Sequence, residues 1–314
     1  MSLRLSMQLR NFGQNGVDIE RLSRLAVFAD ELGVDRVLVS DHVLFGNALD
    51  AYTDPKNGGI EGGRQPTDSD GCWLEPLAVL AFMAARTQRI RLGTSILLAS
   101  LRRTAVLAKE LSTIDVMSNG RLDVGVGIGW QREEYIACNL DFEQRGALLD
   151  ETLQTLTSLW SGHMEWTGLF APEPVEVHQF PRPIQTASDG TQRVPLWISG
   201  TSHQRTIDRV VRFGTGWIPW GPDIAEPAAG ITRMRQALSD AGREPNELSV
   251  ETRIVVPSLR DGRTEWSAMQ SEVARHHALG VTDIRFDVIA EASAAYEREL
   301  IEQIVSEVDA ITSS

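Results

Sequence analysis

RLDVGVGIGWQREE (121–134) sets Gly125, Gly127 and Gly129 at period two, after an apolar run and before a segment that can open a helix. A dinucleotide turn needs G-x-G-x-x-G in the first strand–helix unit, with a ribose-binding acid about 20 residues on. Here the spacing is G-x-G-x-G, the stretch falls in the fourth unit, and no strand follows at the right distance. Two readings remain. The glycines leave room on one face of a strand for bulky neighbours, or they let something flat lie against the strand's C-terminal end.

Outward from this stretch, strand and helix periods alternate along the chain. Apolar strand patterns fall at 3–9, 35–40, 89–98, 194–200, 216–221, 248–257 and 281–289, with the quoted stretch as the fourth of eight. Helical stripes separate them: Leu22, Leu25, Ala26 and Ala29 in the first, and Leu107, Leu111, Ile114 and Met117 in the third. Pro76 suits a helix start, and Gly33 and Gly120 suit helix ends. Eight such units with no linker or repeat predict one (β/α)8 TIM barrel over 1–314. The alternative is an open doubly wound sheet with an appended domain. The segment 161–193, before strand five, is too long for an ordinary connection. Its Trp166, Phe170, Phe180 and prolines suggest an insertion serving as a lid over the barrel mouth.

With 42% hydrophobic residues the chain can bury a sizeable core. Its 30 basic and 43 acidic residues, −13 net, argue against nucleic acid as a partner. Cys72 and Cys138 suit a reducing cytoplasm better than a disulfide framework. The N-terminal residues lack an apolar signal region, and no apolar run reaches the ~20 residues of a membrane span. A cytoplasmic protein without membrane contact is expected.

Barrel enzymes place their chemistry at strand C-termini. Strand two ends in Ser40, Asp41 and His42, and strand three in Thr94, Ser95 and Ile96. Strand four delivers Gly127, Gly129 and Trp130, then Glu133 and Glu134, which are either substitute proton donors or, as surface carboxylates at a helix start usually are, dipole caps. Strand five ends in Ser199, Gly200, Thr201 and Ser202 ahead of a helix whose N–H groups suit an anion. Strand six offers Trp217 and Trp220. No metal-ligand spacing, nucleophile elbow or Walker loop is present. A mouth rich in glycine, hydroxyls and aromatics, with one Asp–His pair, suits an organic cofactor that brings its own chemistry. His42 is the candidate acid–base group, Asp41 its catalytic companion, and no metal is expected.

Together LVSDHV (38–43), WLEPLAVLAFMAARTQRIRLGTSILLASLRRTAVLAKELSTIDVMSNGRLDVGVGIGWQREE (73–134) and PRPIQ (181–185) with VPLWISGTS (194–202) resemble the luciferase-like monooxygenase superfamily. Within it they are most similar to the branch that uses the deazaflavin coenzyme F420. The resemblance implies a deazaflavin across the mouth, with Asp41 and His42 at its reactive ring. It implies a Ser95–Ile96 bulge behind the ring, often a non-proline cis bond, and Gly127 and Gly129 beside the cofactor. Ser199, Gly200, Thr201 and Ser202 would receive its phosphate. It also implies a homodimer through helices two to four, which carry Val79, Phe82, Met83, Leu107 and Leu111.

Related sugar-phosphate dehydrogenases carry a glutamate directly after the last glycine, where this chain has Trp130. With Trp217 and Trp220, this points to a small, apolar or aromatic substrate. The expected function is hydride transfer between coenzyme F420 and such a molecule. The alternatives are an FMN-dependent monooxygenase, in which reduced flavin activates oxygen, and a non-catalytic flavin-binding relative.

Overall fold

In the computed structural model, which describes residues 3–55, 63–168, 171–256, 266–288 and 293–312, eight parallel strands close into a barrel. They are β1 (Arg4–Gln8), β3 (Arg36–Val39), β5 (Arg91–Leu97), β6 (Leu122–Val126), β9 (Leu196–Gly200), β10 (Gly216–Pro219), β11 (Ser249–Arg253) and β12 (Asp283–Asp287). β1 closes the ring by pairing with β12, Arg4 opposite Asp283 through Gln8 opposite Asp287. Outside the barrel, β2 (Phe12–Gly13) pairs with β4 (Cys72–Trp73), and β7 (His163–Gly168) with β8 (Ala171–His178). The eight barrel strands fall where the apolar periods put them.

Helices ring the barrel with their apolar stripes inward. α1 (Ile19–Leu32) starts where Asp18 accepts the Arg21 N–H at 3.0 Å and stops at Gly33, whose φ of 86° is left-handed. α2 (Pro76–Arg86) opens on Pro76, with Glu75 accepting the Ala78 N–H at 2.7 Å. α3 (Thr104–Met117) buries Leu107, Leu111 and Ile114. After the short α4 (Arg132–Ala137), α5 (Arg145–Trp160) buries Leu149, Leu153, Leu156 and Trp160. The expected dimer set divides here: Val79, Met83, Leu107 and Leu111 are core residues, and only Phe82 is exposed. Barrel packing accounts for the other four. α6 (Gln204–Phe213), α7 (Ala228–Asp240), α8 (Trp266–Ala278) and α9 (Ala294–Thr312) complete the ring. None of the described helices is long and apolar enough to cross a membrane.

The lower half of the barrel interior is ionic where such barrels are commonly aliphatic. Arg36 donates to Glu251 at 3.0 Å, Asp283 at 3.3 Å and Ser6 at 3.2 Å, and lies 4.0 Å above the Trp197 ring. Arg91 grips Asp123 with two 2.7 Å bonds. Asp123 is held below the ordinary carboxylate range because these two arginines outweigh its burial.

The insertion is present, but its described part does not cover the mouth. Trp166 of the β7–β8 hairpin packs on the barrel's flank beside Ala105, Lys109 and Leu159 of α3 and α5. Downstream, Gln185 donates to Asp115 at 2.7 Å and to the Leu122 carbonyl at 2.6 Å, and accepts from Arg91 at 2.8 Å. Leu122 and Arg91 begin their strands, so this segment ends at the N-terminal face, opposite the mouth. Phe170 lies outside the described residues.

Candidate active site

Strand β3 ends at Val39 and the chain turns over the barrel's C-terminal face. Buried Asn11 ties this exit down: its amide donates to the Ser40 and Leu74 carbonyls at 2.8 and 2.9 Å and accepts the Ser40 N–H at 2.9 Å. Gln131, also buried, donates to the Leu44 carbonyl at 2.6 Å and accepts the Gly46 N–H at 3.1 Å. The segment carrying His42 is thereby stitched to the end of β6.

His42 stands in an aromatic box. Its ring centroid lies 4.5 Å from Phe45, 4.8 Å from Trp73 at an interplanar angle of 88°, and 5.8 Å from Trp130. Trp73 is itself stacked on Phe12 at 4.2 Å across the β2–β4 pair. The His42 side chain is 10% exposed, and its Nδ1 lies 3.2 Å from Glu134 Oε1. Glu134 is fully buried, so the reading of it as a surface dipole cap is corrected. Nε2 has no hydrogen bond among the described residues. Glu133 packs against the backbone at Gly46 instead.

Asp41 does not share the site's open side. Its Oδ2 accepts from the Leu98 N–H at 2.9 Å and Arg102 Nη1 at 2.6 Å, and its Oδ1 accepts from Arg102 Nη2 at 3.1 Å. Burial works against the Arg102 cation, but Asp41 and Glu75 outweigh it and hold its pKa above the ordinary value. A carboxylate saturated in this way anchors the β3 and β5 exits to each other.

The glycines of β6 and its exit answer to β5. The Ser95–Ile96 peptide bond is cis, and the β5–β6 register shifts between Thr94 and Leu97. A Cβ on Gly125 would lie 2.2 Å from the Thr94 carbonyl oxygen. One on Gly127 would lie 2.9 Å from Ile96 Cδ1, and one on Gly129, with φ of 69°, 2.7 Å from Leu98 Cδ2. The reading that leaves room for bulky neighbours is therefore the structural one: the glycines receive the bulge, and the bulge presents Ser95 and Ile96 at the mouth. Ser95 Oγ lies 3.3 Å from Glu251 and also accepts from Arg285, while its carbonyl accepts from Ser40 Oγ at 3.1 Å.

The tryptophans separate. Trp130 meets Tyr52 edge-on at 5.4 Å, and Tyr52 meets Trp220 at 6.4 Å. Tyr52, carried by the short helical turn Leu49–Thr53, thus bridges the exits of β6 and β10 as a roof. Its position in a connecting loop gave no periodicity from which to find it. Burial pushes its phenol pKa up against the opposing fields of Arg253 and Arg285. Trp217 is fully buried, donates to the Gly200 carbonyl at 2.9 Å, and has a ring edge 2.4 Å from where a Gly230 Cβ would stand. It packs outward beneath α7, so its assignment to a substrate pocket is corrected; alternation along β10 turns it away from the lumen.

At the exit of β9, Ser199, Gly200 and Thr201 are half-buried, and the Thr201 N–H has no hydrogen bond among the described residues. Ser202 differs. Its N–H and Oγ donate to Asp223 at 2.6 and 3.0 Å, and its Oγ also accepts from Arg233. A carboxylate of the chain already fills this part of the expected anion site. Among the described residues no cluster of His, Cys, Asp and Glu could hold a metal ion.

A family model described as luciferase-like monooxygenase matches residues 2–306. The F420-dependent glucose-6-phosphate dehydrogenase of Amycolatopsis mediterranei is 32% identical over 183 residues, 57% of this chain and 46% of that protein. Two solved structures share the fold. An F420-dependent secondary alcohol dehydrogenase in complex with an F420-acetone adduct gives a TM-score of 0.70 at 14% identity, covering 98% of this chain and 99% of that one. The oxygenating constituent of 3,6-diketocamphane monooxygenase from Pseudomonas putida, in complex with FMN, gives 0.71 at 12% identity, covering 98% of each.

Proposed function

The chain belongs to the luciferase-like monooxygenase family and is an oxidoreductase of that family, and on that footing we propose that it moves hydride between coenzyme F420 and a small, apolar organic substrate. The observation that carries this reading is His42: a boxed imidazole at the barrel mouth with one ring nitrogen engaged by Glu134 and the other unengaged. The donor set fits a flat ring system with an anionic tail. Ser95 and Ile96 would lie under the ring, and the hydroxyls of Ser199 and Thr201 with the Thr201 N–H would take the tail. Gly200 gives that turn its left-handed φ of 151°.

When bound, the deazaflavin supplies or accepts the hydride. The chain's part is to place the substrate and manage the proton. His42 Nε2 gives a proton to the substrate oxygen as a carbonyl is reduced, or takes one as an alcohol is oxidised. Tyr52, Trp130 and Trp220 form the apolar wall that receives the substrate body and excludes water. Trp130 is 5% exposed and fills the space beside His42 with indole, which favours an apolar substrate over a sugar phosphate.

The test is a fluorescence titration of the chain with oxidised F420 and, separately, with FMN. Saturable quenching by F420 with no response to FMN supports the reading. Saturable FMN binding with no F420 response selects an FMN-dependent monooxygenase instead.

A further inference from the structure

Glu134 is a buried carboxylate with an incomplete set of partners. It is fully buried on α4, its Oε1 accepts the Val43 N–H at 2.7 Å and faces His42 Nδ1 at 3.2 Å, and its Oε2 has no hydrogen-bond partner. Among the described residues no lysine or arginine pairs with it; its one ion-pair neighbour is His42. The Val43 N–H is one donor, but a buried carboxylate with no cation beside it is costly, and the imidazole is the further donor within reach.

From this we infer that Glu134 is the positioning residue of the site: it keeps a proton on His42 Nδ1, so that Nε2 is the atom presented to the substrate. An ionised carboxylate can only accept, so its bond to Nδ1 requires Nδ1–H, and in the neutral ring this leaves the lone pair on Nε2. The Val43 N–H fixes the same oxygen from the backbone side, which sets the imidazole's direction as well as its tautomer. Phe45 and Trp73 then block rotation of the ring. Without Glu134 the ring reverts to the Nε2–H form ordinarily favoured by a free histidine side chain, and the nitrogen facing the mouth can no longer take a proton. The inference rests on the reading above, in which His42 faces the reacting atoms, but its test does not need turnover.

The experiment is ¹⁵N NMR of the His42 ring in the full-length chain at a pH where the ring is neutral, with assignment by His42→Ala. In the wild type Nδ1 gives the protonated signal and Nε2 the unprotonated one. Glu134→Gln keeps an oxygen for the Val43 N–H and removes the charge, and both tautomers then appear. Glu134→Leu removes the acceptor, and Nε2–H dominates. An Nε2–H ring in the wild type, or an Nδ1–H ring undiminished in Glu134→Gln, overturns the inference. The wild-type spectrum decides even where the Leu variant does not fold. Failure of the proposed function has a different signature, a chain with no saturable F420 binding whatever its imidazole spectrum.

Discussion

Arg102 grips Asp41 with both terminal nitrogens, Nη1 to Oδ2 at 2.6 Å and Nη2 to Oδ1 at 3.1 Å, and Asp41 also takes the Leu98 N–H. Three donors on one carboxylate at 5% exposure make a structural joint between the exits of β3 and β5. Asp41→Asn leaves the Arg102 cation with only the half-exposed Glu75 as counter-charge and is expected to cost about 2–4 kcal/mol in urea unfolding, since removing one partner of a buried pair is destabilising. A loss below about 1 kcal/mol with turnover abolished would return Asp41 to a direct catalytic role.

His42 gives the opposite pattern. His42→Ala leaves the buried Glu134 with only the Val43 N–H as donor, so its melting temperature is expected to fall modestly while it still binds cofactor within a few-fold. Turnover falls ~10²–10⁴-fold, the usual contribution of a positioned proton donor. A lowered melting point with turnover intact would make His42 scaffold.

Asp223 controls how an anion meets the exit of β9. Its carboxylate already holds the Ser202 N–H and Oγ. Asp223→Asn removes a like charge from the neighbourhood of a phosphate, and affinity for phosphate-bearing F420 is expected to rise about two- to tenfold at low salt. The deazaflavin lacking that tail is unaffected. Equal changes for both ligands would place the phosphate elsewhere.

The buried tyrosines set an alkaline limit. Burial raises the phenol pKa of Tyr52 and of Tyr135 in the folded chain. A folded pKa above the unfolded one gives stability that is present below the unfolded value, about 10 for tyrosine, and lost as pH rises through the folded value. Unfolding free energy is therefore expected to fall on raising the pH above that point, and less steeply in Tyr52→Phe. An identical slope in the variant contradicts the desolvation of Tyr52 between Trp130 and Trp220.

The barrel was legible because each strand–helix pair carries its own period, and short apolar strands bounded by glycine and proline leave little choice of element. The ionic lumen was not. Asp283, Arg285 and Asp287 alternate along β12 as solvent-facing residues would, and only closure of the ring turns that face inward to Ser95, Glu251 and Arg36. The same alternation separates Trp217 from the mouth, a signal present in the sequence once Ile218 is set inward against Gly125. Asp41 and His42 were both visible at the end of strand two, but their division of labour depends on Arg102 and Glu134, which are distant in sequence. Tyr52 lies in a segment with no period at all, and nothing local marks it as a roof.

The packed lumen also fixes the traffic of the site. Below Ser95 the channel is plugged by Arg36 against Trp197 and by its bonds to Glu251 and Asp283, so among the described residues the doorway lies at the C-terminal face. A molecule seated deepest there must arrive first and depart last. That doorway is spanned by a short turn holding Tyr52 between Trp130 and Trp220.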